Sequence, residues 1–282
     1  MQTVNRIDPL RDAVAALRQD GRIALVPTMG ALHEGHLTLV REARVRAAHV
    51  VVSIFVNPLQ FGANEDLDGY PRQLARDSEL LAGEGVALLW APDGPAMYPA
   101  GFATNIAVSG VSEGLCGSAR PGHFDGVATV VCKLFHQVLP DVALFGEKDW
   151  QQLAVIRRMA RDLDLTRPHV AEIIGVPTSR EADGLARSSR NAYLTPAERA
   201  AAVALPTAMN AAIARIAGGQ PVDAALAALG AALLAGGFAA VDYAELRDAD
   251  TLAALVTRGT GLARLLVAAR IGKARLIDNM AA

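Results

Sequence analysis

Along most of the chain, short apolar runs alternate with segments whose apolar positions recur at helical spacing. Leu10, Val14 and Leu17 share one face of a helix predicted over 9–19. The run 23–26 is apolar throughout, as expected of a strand buried in a parallel sheet. Leu37, Leu39, Val40 and Ala43 then define one face of a second helix. A β-branched run over 50–56 predicts a central strand. Asn57-Pro58-Leu59-Gln60-Phe61-Gly62 turns it, because proline cannot continue a central ladder. Residues 74–82 read as helix, 86–90 as strand and 92–100 as turns. The segment 127–138 is long enough to favour helix over strand. A short strand over 142–145 leads into a helix through Arg161, and a strand over 169–176 stops at Pro177. Strands and helices in alternation predict an α/β fold.

After Thr195 the pattern changes. Thr195-Pro196-Ala197-Glu198 is a capping box with proline at the first helical position. Alanine-rich helices are predicted over 197–217 and 222–235, then strands over 241–247 and 264–269, with 275–277 a candidate third. A boundary near residue 177 divides the chain into a larger unit, 1–177, and a smaller α+β unit, 178–282. Its 282 residues suffice for one large or two moderate domains. With 52% hydrophobic and 20% charged residues the chain is globular rather than disordered. The net charge of −2 argues against a nucleic-acid partner. Residues 1–12 are polar and mixed, unlike a signal peptide, and no apolar run is expected to span a membrane. Cys116 and Cys132 form no C-x-x-C pair, so reduced thiols in a cytoplasm are expected. Lysine occurs only as Lys133, Lys148 and Lys273, which makes a lysine in a conspicuous position worth a chemical reading.

The candidate chemistry begins where the first apolar run ends. Pro27-Thr28-Met29-Gly30-Ala31-Leu32-His33-Glu34-Gly35-His36 joins strand to helix through small residues. Free N–H groups and the positive end of the dipole at a helix start favour an anion. His33 and His36, three apart, can lie on one side of the first turn, so a phosphate there would meet two imidazoles and a row of backbone donors. The spacing is not the four of an H-E-x-x-H zinc site, and neither the P-loop nor the G-x-G-x-x-G pattern is present. Alone, the motif also fits an ordinary strand–helix turn with two surface histidines. A second constellation weighs against that. Gly146-Glu147-Lys148-Asp149-Trp150-Gln151-Gln152 opens another helix, and a lysine there opposes the helix dipole unless an anion binds. Ser188-Ser189-Arg190-Asn191 adds hydroxyls and a guanidinium suited to phosphate oxygens. Asn57 and Gln60 follow a strand end, where open sheets bind ligands. The polar stretch 63–72 is a candidate lid.

Taken together, these motifs, with Arg120-Pro121-Gly122-His123-Phe124 and Asp183-Gly184-Leu185-Ala186, resemble the pantothenate synthetase (pantoate–β-alanine ligase) family of the HxGH nucleotidyltransferase superfamily. The resemblance covers nearly the whole chain and implies a Rossmann-like parallel-sheet domain with a smaller closing domain, in a cytoplasmic homodimer. It also implies two steps. Pantoate attacks the α-phosphate of Mg-ATP to give pantoyl adenylate and pyrophosphate, and the amine of β-alanine then displaces AMP. On this resemblance Met29, Gly30, Ala31, Leu32, His33, Glu34, Gly35 and His36 lie along ATP, with His36 the proton donor. Gly146, Glu147, Lys148, Asp149, Arg187, Ser188, Ser189 and Arg190 line the nucleotide and its phosphates, with Val176 beside the adenine. Gln60 and Gln152 hold pantoate, and Gln60 also lies near β-alanine. His33, His36 and Lys148 are the candidate catalytic residues, and no protein metal site is expected. The family leads one to expect an apolar residue at position 187. Arg187 therefore points either to solvent or to the triphosphate.

Three rivals remain at this point. A nucleotidylyltransferase would not need the glutamine pair, an aminoacyl-tRNA synthetase fits the charge and the small second unit poorly, and a non-catalytic nucleotide sensor would not need His36, Lys148 and two substrate glutamines together.

Overall fold

The computed structural model describes residues 1–62 and 67–282. In order, the larger unit contains β1 (Gln2–Val4), α1 (Ile7–Asp20), β2 (Ile23–Thr28), α2 (Glu34–Arg46), β3 (His49–Ile54), α3 (Leu74–Gly83), β4 (Leu88–Trp90), α4 (Gly94–Met97), α5 (Leu115–Ala119), α6 (His123–Val138), β5 (Val142–Gly146), α7 (Trp150–Asp162) and β6 (Ile173–Val176). These strands form one parallel sheet in the order β1-β4-β3-β2-β5-β6. β2 lies between β3 and β5, and the chain order runs outward from it to β4 on one side and β6 on the other, with β1 at the edge beside β4. The carboxyl ends of β2 and β5 therefore flank the switch point where open parallel sheets bind ligands.

Alternate residues of β2 enter different cores. Ile23 and Leu25 pack with Leu10, Phe135 and Ile156, from α1, α6 and α7. Ala24 and Val26 pack with Leu39, Val40 and Leu81, from α2 and α3. Helices thus cover both faces, which is why the strands read as unbroken apolar runs. The remainder of the chain builds α8 (Pro196–Ala201), α9 (Ala204–Ala217), α10 (Val222–Ala235), β7 (Ala240–Asp248), β8 (Ala263–Ile271) and β9 (Ala274–Ala281). Its antiparallel sheet, β7-β8-β9, has a separate core in which Leu205, Met209, Leu229 and Leu233 meet Leu265, Val267 and Leu276.

Several expectations need correction. The single helix over 197–217 is two, separated by a turn at Ala202 and Val203. Pro206, third in α9, lacks the N–H that would bond to Ala202, and its ring crowds that carbonyl. The stretch Pro196–Ala217 passes for a membrane span by length and composition only, since it carries Glu198, Arg199 and Arg215 and is broken at Ala202 and Val203. Here the face formed by Leu205, Met209, Ala212 and Ile216 packs into the smaller core. The strand expected over 169–176 begins only at Ile173, because His169 Nδ1 accepts from Ala171 N at 3.2 Å and caps a 3-10 turn over Val170–Glu172. The helix expected from 127 starts at His123, and the third strand of the small sheet is longer than 275–277. β1, α4 and α5 were too short to leave a periodic signal. Of the candidate lid, residues 63–66 lie outside the described residues.

One close approach ties α6 to the loop after β3. A Cβ on Gly126 would stand 2.2 Å from Leu59 O and 2.6 Å from Gln60 N. Only glycine fits without moving Gln60. We expect Gly126→Ala to destabilise the fold by roughly 1–3 kcal/mol, the usual cost of overpacking. Thermal melting checks this, and an unchanged Tm would mean that the loop yields freely.

Candidate active site

At the carboxyl end of β2 the backbone reverses through Gly30 at φ 85° and Ala31 at φ 52°. Thr28 Oγ1 accepts from Gly30 N at 3.2 Å and donates to Ser53 O at 2.8 Å, which ties the turn to β3. The carboxylate of Asp77, from α3, accepts from Ala31 N and Leu32 N, both at 2.9 Å. Asp77 is 1% exposed. The row of free backbone donors expected here is therefore largely absent. The turn's N–H groups bind Thr28 and Asp77, and the sequence reading missed Asp77 because it looks like an ordinary polar residue of an amphipathic helix.

The two histidines cap α2 for each other. His33 Nδ1 accepts from Gly35 N at 3.1 Å, and His36 Nδ1 accepts from His33 N at 3.3 Å. A backbone N–H can only donate, so each neutral ring carries its proton on Nε2. The rings lie 4.2 Å apart between centroids. Burial, reinforced by the charges of Lys148 and Arg187, lowers the pKa of His33 to about 4. Burial, then His33 and Lys148, lowers that of His36 to about 3. Both are therefore uncharged Nε2–H donors near neutral pH, rather than cations.

Across the switch point, β5 ends at Gly146, and a 3-10 turn over Glu147–Asp149 presents Lys148 before α7 begins. Lys148 Nζ lies 3.9 Å from Asp149 Oδ2. This turn is held from the smaller unit. Asn279 of β9, 3% exposed, donates through Nδ2 to Glu147 O at 2.9 Å and to Lys148 O at 2.8 Å. Arg264 stacks on the Trp150 ring at 3.5 Å, and Trp150 Nε1 donates to Ala249 O at 2.9 Å. The adjacent glutamines diverge. Gln151 is buried and donates to Val111 O and Glu113 O, each at 3.1 Å, while accepting from Cys116 N at 3.0 Å. Gln152 lines the cleft.

The cleft between these turns has a volume of about 240 Å³. It brings together Met29, His33, Gly35, His36, Gln60, Gly146, Lys148, Asp149, Gln152, Arg187, Ser188, Ser189 and Arg190. Gln60 Oε1 accepts from Asn57 Nδ2 at 3.1 Å, so its amide nitrogen points to Met29 Sδ, 3.0 Å away. Asn57 is itself fixed by Gly126 O at 3.0 Å and by the Tyr98 hydroxyl at 2.8 Å. Val127, Val130, Val131 and Leu134, at helical spacing on α6, make an apolar wall that the sequence reading took only as helix core. Gly30, Ala31, Leu32, Glu34, Glu147 and Val176 are not on the lining. Leu32 and Val176 are buried, Glu34 pairs with Arg41 on the surface, and Glu147 pairs with Arg264 at 3.6 Å. Arg187 sits at the cleft edge with its guanidinium 2.9 Å from Glu181.

A doubly wound parallel sheet whose switch point carries paired histidines and a lysine-bearing helix start defines a nucleotide-using enzyme of the HxGH kind. More narrowly, the chain belongs to the pantoate-beta-alanine ligase family, whose model matches residues 2–281. It is 70% identical to a pantothenate synthetase of Novosphingobium aromaticivorans, over 99% of this chain and 98% of that protein. The solved pantothenate synthetase of Thermus thermophilus is 49% identical, covers 99% of each chain and has a TM-score of 0.91. A pantoate-beta-alanine ligase of Francisella tularensis, solved in complex with beta-gamma ATP and beta-alanine, is 33% identical with a TM-score of 0.84, over 100% of this chain and 97% of that one.

Asp77→Asn should leave one of the two turn N–H groups facing an amide donor. A lost bond to a buried acceptor of this kind costs about 1–3 kcal/mol, so the Tm should fall. ATP affinity should also weaken, because His33 and His36 follow directly from the turn. Unchanged melting and nucleotide titration would show that the turn holds itself.

The histidines make a pH prediction with a definite sign. Their folded pKa values lie below the unfolded value of 6.5, so the unfolded chain binds more protons between pH 6.5 and about 3. Their stabilisation is complete above pH 6.5 and is lost as the pH falls through that window. Melting of wild type and His33→Gln against pH should show a smaller acid loss in the variant. Equal acid slopes would contradict this.

Proposed function

We propose that the chain condenses (R)-pantoate with β-alanine at the expense of ATP, giving pantothenate, AMP and pyrophosphate through a pantoyl-adenylate intermediate. The observation that supports this best is the pairing, in one cleft, of phosphate-type donors with two amide side chains against an apolar wall. The neutral amides of Gln60 and Gln152 suit the hydroxyls of pantoate without repelling its carboxylate. The wall of Val127, Val130, Val131 and Leu134 suits its paired methyl groups. The carboxylate then attacks the α-phosphate, and charge spreads onto equatorial oxygens and the leaving pyrophosphate. Catalysis is mainly positioning and electrostatic stabilisation. His36 and His33 would donate through Nε2–H to phosphate oxygens, and Lys148, Ser188, Ser189 and Arg190 would serve the β- and γ-phosphates. The backbone near Val176 would face the adenine. Arg187, already engaged by Glu181, would shape the rim rather than grip phosphate.

Mg²⁺ is proposed to enter with ATP. Among the described residues no group of three metal-binding side chains exists, and Asp149 is the one carboxylate on the cleft lining. That set fits an ion held mostly by phosphate oxygens and water, which would offset phosphate charge when bound. The division near residue 177, a homodimeric state and a cytoplasmic location complete the proposal. The separate cores and the buried free thiols Cys116 and Cys132 support the first and the last. The net charge of −2 favours small-molecule substrates over nucleic acid, and no membrane partner is proposed.

None of the cleft serines, Ser179, Ser188 and Ser189, is hydrogen-bonded to a basic side chain among the described residues, which favours pantoate itself as the nucleophile. Mixing enzyme, Mg-ATP and pantoate without β-alanine should give a burst of about one pyrophosphate per site. Oxygen labelled in the pantoate carboxylate should then appear in AMP when β-alanine is added. Label that stays wholly in pantothenate, with no burst, would rule out the adenylate. In His36→Ala the burst should slow by about a hundredfold, the typical cost of one transition-state donor.

A further inference from the structure

We propose, on the reading above that Gln60 holds pantoate, that Tyr98 is a positioning residue, fixing through Asn57 which end of the Gln60 amide meets the substrate. The Asn57 amide uses all of its hydrogen-bonding capacity, two donors and two acceptor positions. Oδ1 accepts from Leu59 N at 3.3 Å and from the Tyr98 hydroxyl at 2.8 Å. Nδ2 donates to Gly126 O at 3.0 Å and to Gln60 Oε1 at 3.1 Å. Two of these partners are backbone groups, and a backbone N–H can only donate while a carbonyl can only accept. They fix the amide's orientation by themselves, since a flip would set donor against donor and oxygen against oxygen. Asn57 is 1% exposed, so water offers a flipped amide no relief.

This polarity passes to both side-chain neighbours. Tyr98 must be the donor to Oδ1, and burial, which raises its pKa above the ordinary phenol value, keeps the proton in place. Gln60 must turn its oxygen to Asn57, which leaves Nε2 for the cleft. Nε2 lies 3.0 Å from Met29 Sδ, and a thioether is a weak acceptor that a substrate oxygen can replace. Toward the cleft Gln60 is therefore a donor, and the pantoate atom it meets is an acceptor oxygen of a hydroxyl or of the carboxylate.

Gln60 and Met29 line the cleft, whereas Tyr98 is not on the lining and acts at one remove. Its ring is held independently of the hydroxyl. It meets Phe55 edge-on with centroids 6.0 Å apart, lies 4.9 Å from Phe102, and has Lys133 Nζ 6.0 Å above it. Without the hydroxyl, Asn57 Oδ1 would keep only the longer bond from Leu59 N. The Asn57 side chain would then loosen, and the Gln60 donors would face the substrate less often.

The test is Tyr98→Phe in the full chain, which removes the hydroxyl and keeps the ring. The kcat/KM for pantoate should fall about fivefold, the worth of one neutral hydrogen bond, with the KM for ATP unchanged. In a Gln60→Ala background the same substitution should cost nothing further, because the group it positions is gone. Additive losses in that double-mutant cycle, or an equal rise in the KM for ATP, overturn the proposal and leave Gln60 on pantoate. Unchanged pantoate kinetics in Gln60→Ala itself would remove Gln60 from the substrate site, and the role of Tyr98 would fall with that reading. If Tyr98→Phe melts early, side-chain amide NMR below its melting range carries the test. The amide signals of both Asn57 and Gln60 should shift, and a Gln60 signal identical in the two proteins overturns the proposal whatever the chain's activity.

Discussion

After β2 the chain must turn sharply enough to start α2 at once, and it does so through Gly30 and Ala31, both at positive φ. Asp77 holds that conformation by accepting from two successive N–H groups inside the protein. A carboxylate bonded twice in a medium of low dielectric binds more strongly than a neutral acceptor would. The rest of the cleft follows from it. With the turn fixed, His33 becomes the N-cap of α2, His36 falls one turn later, and their Nδ1 atoms are taken up by backbone donors. Each ring's Nδ1 is thus occupied, and both rings line the cleft.

The opposite wall depends on the smaller unit. Lys148 stands on a short 3-10 turn whose carbonyls are held by Asn279, and the following tryptophan is clasped by Arg264 and Ala249 O. Lys148 is thus set by contacts from β9 rather than by its own helix.

Much of this was legible in the sequence. The β-branched and apolar runs marked β2, β3 and β5 because strands covered on both faces tolerate few polar residues. The spacing of His33 and His36, and a lysine set against a helix dipole, marked two turns that face one cleft. Proline and capping residues placed turns well but not always correctly, as Pro206 and His169 show. Asp77 left no signal, since one aspartate on a polar helix face looks like any other. Gln151 and Gln152 were indistinguishable as letters, yet one organises the loop at 111–116 and the other faces the cleft.

What the sequence alone determined was the order of elements and the chemical types available at their ends, because periodicity and local turn preferences act over a few residues. Tertiary structure decided which donors remain free. The expected backbone amides are taken by Asp77 and Thr28, and the histidines lose their charge through burial and neighbouring cations. Those outcomes depend on groups far apart in the chain meeting where water is excluded, and no local pattern records which partner will arrive.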